Sequence, residues 1–178
     1  MPPFRDDGRV SRPRPDDADG FRTAWAEAQS RWAGTIERAR AMTEDQLNQR
    51  VNGEWSLVQT LRHLVFVTDA WVSRGLLGER VPYHPLGLPP TGMKAVKGLP
   101  DEDARPSLDE VLALRAERTQ IVDVVLAGLT DEEVGEERRV SGPGHPRAGL
   151  VAVRRCLLAV VGEEWQHREY AERDLARL

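Results

Sequence analysis

Near the C-terminal end of the chain, in Glu163-Glu164-Trp165-Gln166-His167, a carboxylate and an imidazole stand four residues apart. A helix stacks Glu163 and His167 one turn above the other on one face. Roughly a hundred residues earlier, His63 lies in Trp55-Ser56-Leu57-Val58-Gln59-Thr60-Leu61-Arg62-His63-Leu64. Two imidazoles and one carboxylate suit a divalent transition metal and leave coordination positions open for chemistry. His63 joins that set only if its helix packs against the C-terminal one, which spacing cannot show. On spacing alone the commoner readings are an i,i+4 hydrogen-bonded pair on a solvated face and a hydrogen-bonded core histidine.

The other chemistry-bearing side chains carry weaker signals. Glu164, about a hundred degrees round the helix from Glu163, is expected on the surface with Arg168 as its partner; a shifted register would instead pair it with His167. Cys156 lies about two turns before Glu163, and ~10 Å along a helix is too far to ligate the same ion, so a buried structural role is expected. Tyr83 and His84 sit in a Pro-rich stretch. They are candidates for capping the site or contacting substrate, although an exposed loop histidine is the more ordinary reading. Ser56 reads as a helix cap rather than a nucleophile.

The elements that must position these groups are helices. Phe21, Trp25, Ala28, Trp32, Ile36 and Ala39 recur in steps of three and four, the stripe of a helix packed on its neighbours. Thr43 with Gln46, Ser56 with Gln59 and Ser107 with Glu110 are capping boxes, and the latter two open the second and third long helices. The second runs to about Gly75–Gly78, and the fourth from about Leu150 to Leu178. No alternating pattern of convincing length intervenes, so the expectation is an all-α four-helix bundle without a sheet. Met42-Thr43-Glu44-Asp45-Gln46-Leu47 and Leu129-Thr130-Asp131-Glu132-Glu133-Val134 echo each other, suggesting two helix-pair halves. The link between helices two and three, residues 79–106, is long and holds six prolines. At about 3.3 Å per residue it can cross the bundle, so helices two and three can run parallel; a loop of that length is usually functional or disordered.

Composition bounds the rest. With 178 residues the chain fits one domain: a flexible arm at residues 1–18, rich in Pro, Arg and Asp, then the bundle at 19–178. A net charge of −4 with both signs mixed marks no nucleic-acid surface. The chain has no apolar run of membrane-spanning length, and Met1 to Gly20 lacks the apolar stretch expected of a signal peptide. A single cysteine agrees with a reducing compartment, and the expected location is the cytoplasm. Lys94 and Lys97 are the sole lysines against many arginines, a bias typical of a GC-rich bacterial genome.

Gly53-Glu54-Trp55-Ser56 leading into Leu61-Arg62-His63-Leu64-Val65, together with Glu163-Glu164-Trp165-Gln166-His167-Arg168-Glu169-Tyr170, resembles the DinB-like superfamily over residues 20–178. That group includes YfiT-like proteins and the N-terminal domain of mycothiol-dependent maleylpyruvate isomerase. The resemblance implies a metal site with one His from helix two and a His-x-x-x-His pair from the last helix. His63 matches the first and His167 the last; the middle position is Glu163 rather than His, which alters charge and metal preference. The resemblance also implies zinc or nickel, and in enzymatic members a low-molecular-weight thiol such as mycothiol or bacillithiol, ionised for S-transfer or isomerisation. The expected function is metal-dependent S-transfer to a small electrophile. The alternative is a metal- or ligand-binding bundle without turnover. The expected partners are a small-molecule substrate and a second copy in a homodimer.

Overall fold

The computed structural model describes residues 12–93 and 103–178. The apolar stripe of Phe21, Trp25, Ala28 and Trp32 forms one face of helix α1 (Ala18–Ala39), started by the Asp17 carboxylate on the Gly20 amide. A capping box from Thr43 and Gln46 opens the short α2 (Glu44–Asn48). The Ser56–Gln59 box opens α3 (Leu57–Thr68). A π-helical segment, Asp69–Arg74, continues α3 directly, with the Gly75 amide reaching back five residues to the Ala70 carbonyl. The Ser107–Glu110 box opens α4 (Leu108–Gly128), and a fourth box, Thr130–Glu133, opens α5 (Asp131–Val134). Helix α6 (Val153–Leu175) closes the chain. The repeated Thr-x-x-Gln and Thr-x-x-Glu hexapeptides therefore correspond to two capped turns, α2 and α5, each following a long helix.

The expectation of no sheet is corrected. Strands β1 (Glu137–Val140) and β2 (Gly149–Ala152) form a two-stranded antiparallel ladder just ahead of α6, with Glu137 opposite Ala152 and Val140 opposite Gly149. Each strand is only four residues long, and β1 buries Val140 but leaves Glu137 and Arg139 exposed. So short a segment shows too little alternation to stand out. Helix α6 accordingly starts at Val153, three residues later than the sequence suggests.

The long helices pack pairwise into a mostly helical fold. Trp25 donates to Asp123 on α4 (2.7 Å), and Trp165 donates to the Ala24 carbonyl on α1 (3.4 Å). One apolar cluster gathers Phe21, Trp25, Val72, Val122, Leu157 and Trp165; another gathers Trp32, Leu47, Leu61, Leu64, Val111 and Ala171. Val58 and Leu108 line the same small cavity, while Asp69 pairs with Arg118 (3.1 Å). Helices α3 and α4 therefore run in the same direction, which two consecutive antiparallel helices with a short turn could not do. The long crossover makes this possible. Residues 94–102 of it, and residues 1–11 of the expected arm, lie outside the described residues. Residues 12–17 lead into α1, with Arg12 donating to the Leu158 carbonyl of α6 (3.4 Å).

Candidate metal centre

His63 projects from a helix whose residues are almost all buried, between Leu61 and Leu64, both fully enclosed. Its Nδ1 lies 2.8 Å from the Leu88 carbonyl. A carbonyl can only accept, so Nδ1 carries a proton and donates it to that hydrogen bond, while Nε2 points the other way. There it meets Glu163 Oε2 at 3.6 Å, and the same oxygen lies 3.0 Å from His167 Nε2. One ligand-type atom from each of His63, Glu163 and His167 lies within 4.8 Å of the others. The i,i+4 spacing on α6 places Glu163 and His167, and packing of α3 on α6 supplies His63. Trp55 walls the cluster, its ring centroid 4.6 Å from that of His63 and 5.9 Å from that of His167.

The donor set fits a divalent transition metal. Hydrogen bonding from His167 and then His63 holds the Glu163 carboxyl far below the usual carboxylate range, so it is anionic at neutral pH. A carboxylate oxygen facing an imidazole lone pair is repulsive unless a proton or a cation lies between them. Ligands on a tetrahedral zinc-like ion stand roughly 3.4 Å apart, given bonds of about 2.1 Å; the two Glu163 contacts straddle that value, and the wider separation within the set, up to 4.8 Å, would have to close on an ion. The Leu88 carbonyl on His63 is the outer hydrogen bond that metal-ligating histidines ordinarily make. A cleft of about 230 Å³ opens beside the cluster, with Trp55, Thr60, Thr91, His167, Tyr170 and Asp174 on its walls. A larger groove of about 490 Å³ runs between α1 and α4 past Trp32, Ile36 and Leu112, and none of the three cluster residues lines it.

Tyr83 and His84 are placed elsewhere. Tyr83 stacks on the Phe66 ring, and its hydroxyl donates to the His145 carbonyl (2.9 Å) while accepting from the His145 amide (2.8 Å). The His84 amide donates to buried Asp69 (2.9 Å), and its Nδ1 accepts from the Leu86 amide (3.1 Å). Neither residue lines the cleft beside His167. Burial lowers the His84 pKa, aided by the Arg118 charge.

The surface role expected for Glu164 is corrected. Its side chain is buried and makes a two-pronged ion pair with Arg115 of α4, at 3.1 and 2.9 Å. Arg168 turns instead to Glu172 and Thr35. Adjacent glutamates on α6 thus face different neighbours, Glu163 towards α3 and Glu164 towards α4. Arg62 is a second surprise: a fully buried arginine inside an apolar helix. Its signal in the sequence is a lone arginine in the run Leu57-Val58 to Val65-Phe66-Val67, where apolar residues fall on nearly every side of the helix.

Cys156 is fully enclosed near Trp71 and Val140. Burial pushes its thiol up from the usual 9.0 to about 11. The fold therefore favours the neutral thiol, so the stability linked to it is intact below the unfolded thiol's value and falls as pH climbs from about 9 towards 11. Native protein at pH 8 is expected to resist Ellman's reagent and to release one equivalent of colour on denaturation. Rapid labelling of the folded protein would contradict this burial.

A mostly helical protein carrying a two-histidine, one-carboxylate cluster between its second long helix and its last is the class these features define. The chain belongs to the DinB superfamily, whose family model matches residues 13–171. No curated protein and no solved structure gives a significant match. No helix among the described residues is long and apolar enough to cross a membrane.

Proposed function

We propose that this chain is a metal-dependent enzyme in which His63, Glu163 and His167 hold zinc or nickel, and that it joins a whole mycothiol- or bacillithiol-type thiol to a small electrophile, the S–H proton being lost as the new bond to sulfur forms. In this reading the long stretches α1, α3 with its π-helical extension, α4 and α6 act as one four-helix bundle supporting the cluster. The observation that carries it is the convergence of two imidazoles and an ionised carboxylate beside an open cleft. A divalent cation there would supply the positive charge that favours thiolate over thiol at neutral pH. The chain's own residues do the rest. His63 is held in one tautomer by Leu88, and Trp55 shields the imidazoles from bulk water on one side. The cleft walls supply hydroxyls at Thr60, Thr91 and Tyr170 for a small polar substrate. A carboxylate in place of a third imidazole lowers the net charge of the site, so thiol acidification should be weaker than in relatives with three histidines.

The test is to load purified protein with zinc or nickel, add mycothiol or bacillithiol with a model electrophile, and follow thiol consumption against a His63→Ala control. Metal-dependent turnover that the control lacks is the expected result. Stoichiometric metal binding with no turnover above the control would leave a binding module instead.

A further inference from the structure

Two neighbouring residues of α3, Arg62 and His63, meet the same short piece of the crossover, one through the Leu88 amide and the other through the Leu88 carbonyl. The Leu88 carbonyl accepts a hydrogen bond from His63 Nδ1 at 2.8 Å, and the Leu88 amide donates to the Arg62 carbonyl at 3.0 Å. The buried Arg62 guanidinium then reaches the crossover twice more. Its Nε donates to the Leu86 carbonyl at 2.9 Å and its Nη1 to the Ala104 carbonyl at 2.6 Å. Leu86 and Ala104 are eighteen residues apart in sequence, so one side chain joins two distant points of the crossover whose Leu88 orients a cluster imidazole.

We infer that Arg62 is a positioning residue for the metal centre: it clasps the crossover at Leu86 and Ala104 so that the Leu88 carbonyl holds His63 with Nε2 facing Glu163 and His167. The inference rests on the metal reading above. The planar guanidinium matters because its several fixed donors can span two carbonyls, whereas an ammonium is a compact point charge. By linkage the effect runs both ways: what stabilises the docked Leu86–Leu88 segment tightens metal binding, and bound metal steadies the segment.

The experiment compares wild-type protein with Arg62→Lys, titrating zinc against a chromophoric chelator. It also follows backbone amide exchange at Leu88 with and without zinc. Removing an outer-shell support typically weakens metal affinity about 10–100-fold, and that loss is expected for Arg62→Lys in protein that remains helical by circular dichroism. In wild type, zinc is expected to slow exchange at Leu88 several-fold. An arginine that merely braces the fold would lower the melting temperature of the metal-free protein and leave zinc affinity unchanged, which would overturn the inference. If Arg62→Lys does not fold, the wild-type exchange decides: slowing at Leu88 supports the clasp, and identical rates with and without zinc sink it. Failure of wild type to bind zinc, nickel or another divalent ion is a different result; it removes the metal reading itself, and this inference with it.

Discussion

Glu164→Ala is expected to destabilise the protein by about 3–5 kcal/mol, the usual consequence of removing one partner from a buried ion pair. Arg115 would be left with its charge enclosed beside Trp32, its side chain only 9% exposed, and no carboxylate to answer it. Against a total stability of about 5–15 kcal/mol for an ordinary domain, that is a large fraction, read as a fall in the denaturant midpoint. Replacing both partners by apolar residues, Arg115→Met with Glu164→Leu, should recover much of the loss, because neither charge then needs to be desolvated. A Glu164→Ala protein as stable as wild type would show that the pair is solvated in solution. Zinc binding in the double variant should stay close to wild type, since Glu164 is outside the cluster.

Glu163→Ala, one residue earlier, is expected to cost less stability than Glu164→Ala, because the partly exposed carboxylate loses only its solvent-screened contacts with two imidazoles, and to lower zinc affinity by more than the ~100-fold that outer-shell changes reach. The side chain is 31% exposed and packs no core cluster, so its removal leaves no large cavity. What disappears is the anion between two imidazoles. Glu163→His is the informative partner. It keeps three donors, so it should retain zinc, and it raises the net positive charge of the site, so a bound thiol should ionise at lower pH. Competition titration and thiol absorbance in the ultraviolet measure the two effects separately. Equal zinc affinity in wild type and Glu163→Ala would remove the carboxylate from the ligand set.

The uneven legibility of this chain has physical causes. Helices α1, α3, α4 and α6 were readable because their stripes and capping boxes are local, within three or four residues. The relation of Glu163 to His167 was readable for the same reason. Glu164–Arg115 was not, because its partners lie 49 residues apart and a single carboxylate names no partner by sequence. The same holds for the Leu88 carbonyl on His63: backbone groups are identical at every residue, so nothing in the letters marks the one that matters. The β1–β2 ladder escaped because Arg138 and Arg139 occupy the middle of a four-residue strand, where neither hydrophobicity nor β-branching announces it.

The widened turn at Asp69–Arg74 works as a change of phase in the helix. Eleven residues of uninterrupted α-helix would bring Arg74 back to within about 20° of His63, on the stripe that faces α6. The extra residue in the π-helical turn swings it away by roughly a hundred degrees. Arg74 is there fully enclosed and donates to the carbonyls of Arg80, Gly142 and Pro146, knitting the hairpin loop to the end of the helix. One helix is thereby spliced from two angular frames, the first addressed to the metal-type cluster and the second to the hairpin. Sequence change in either frame can proceed without disturbing the alignment of the other, as long as the splice keeps its one additional residue.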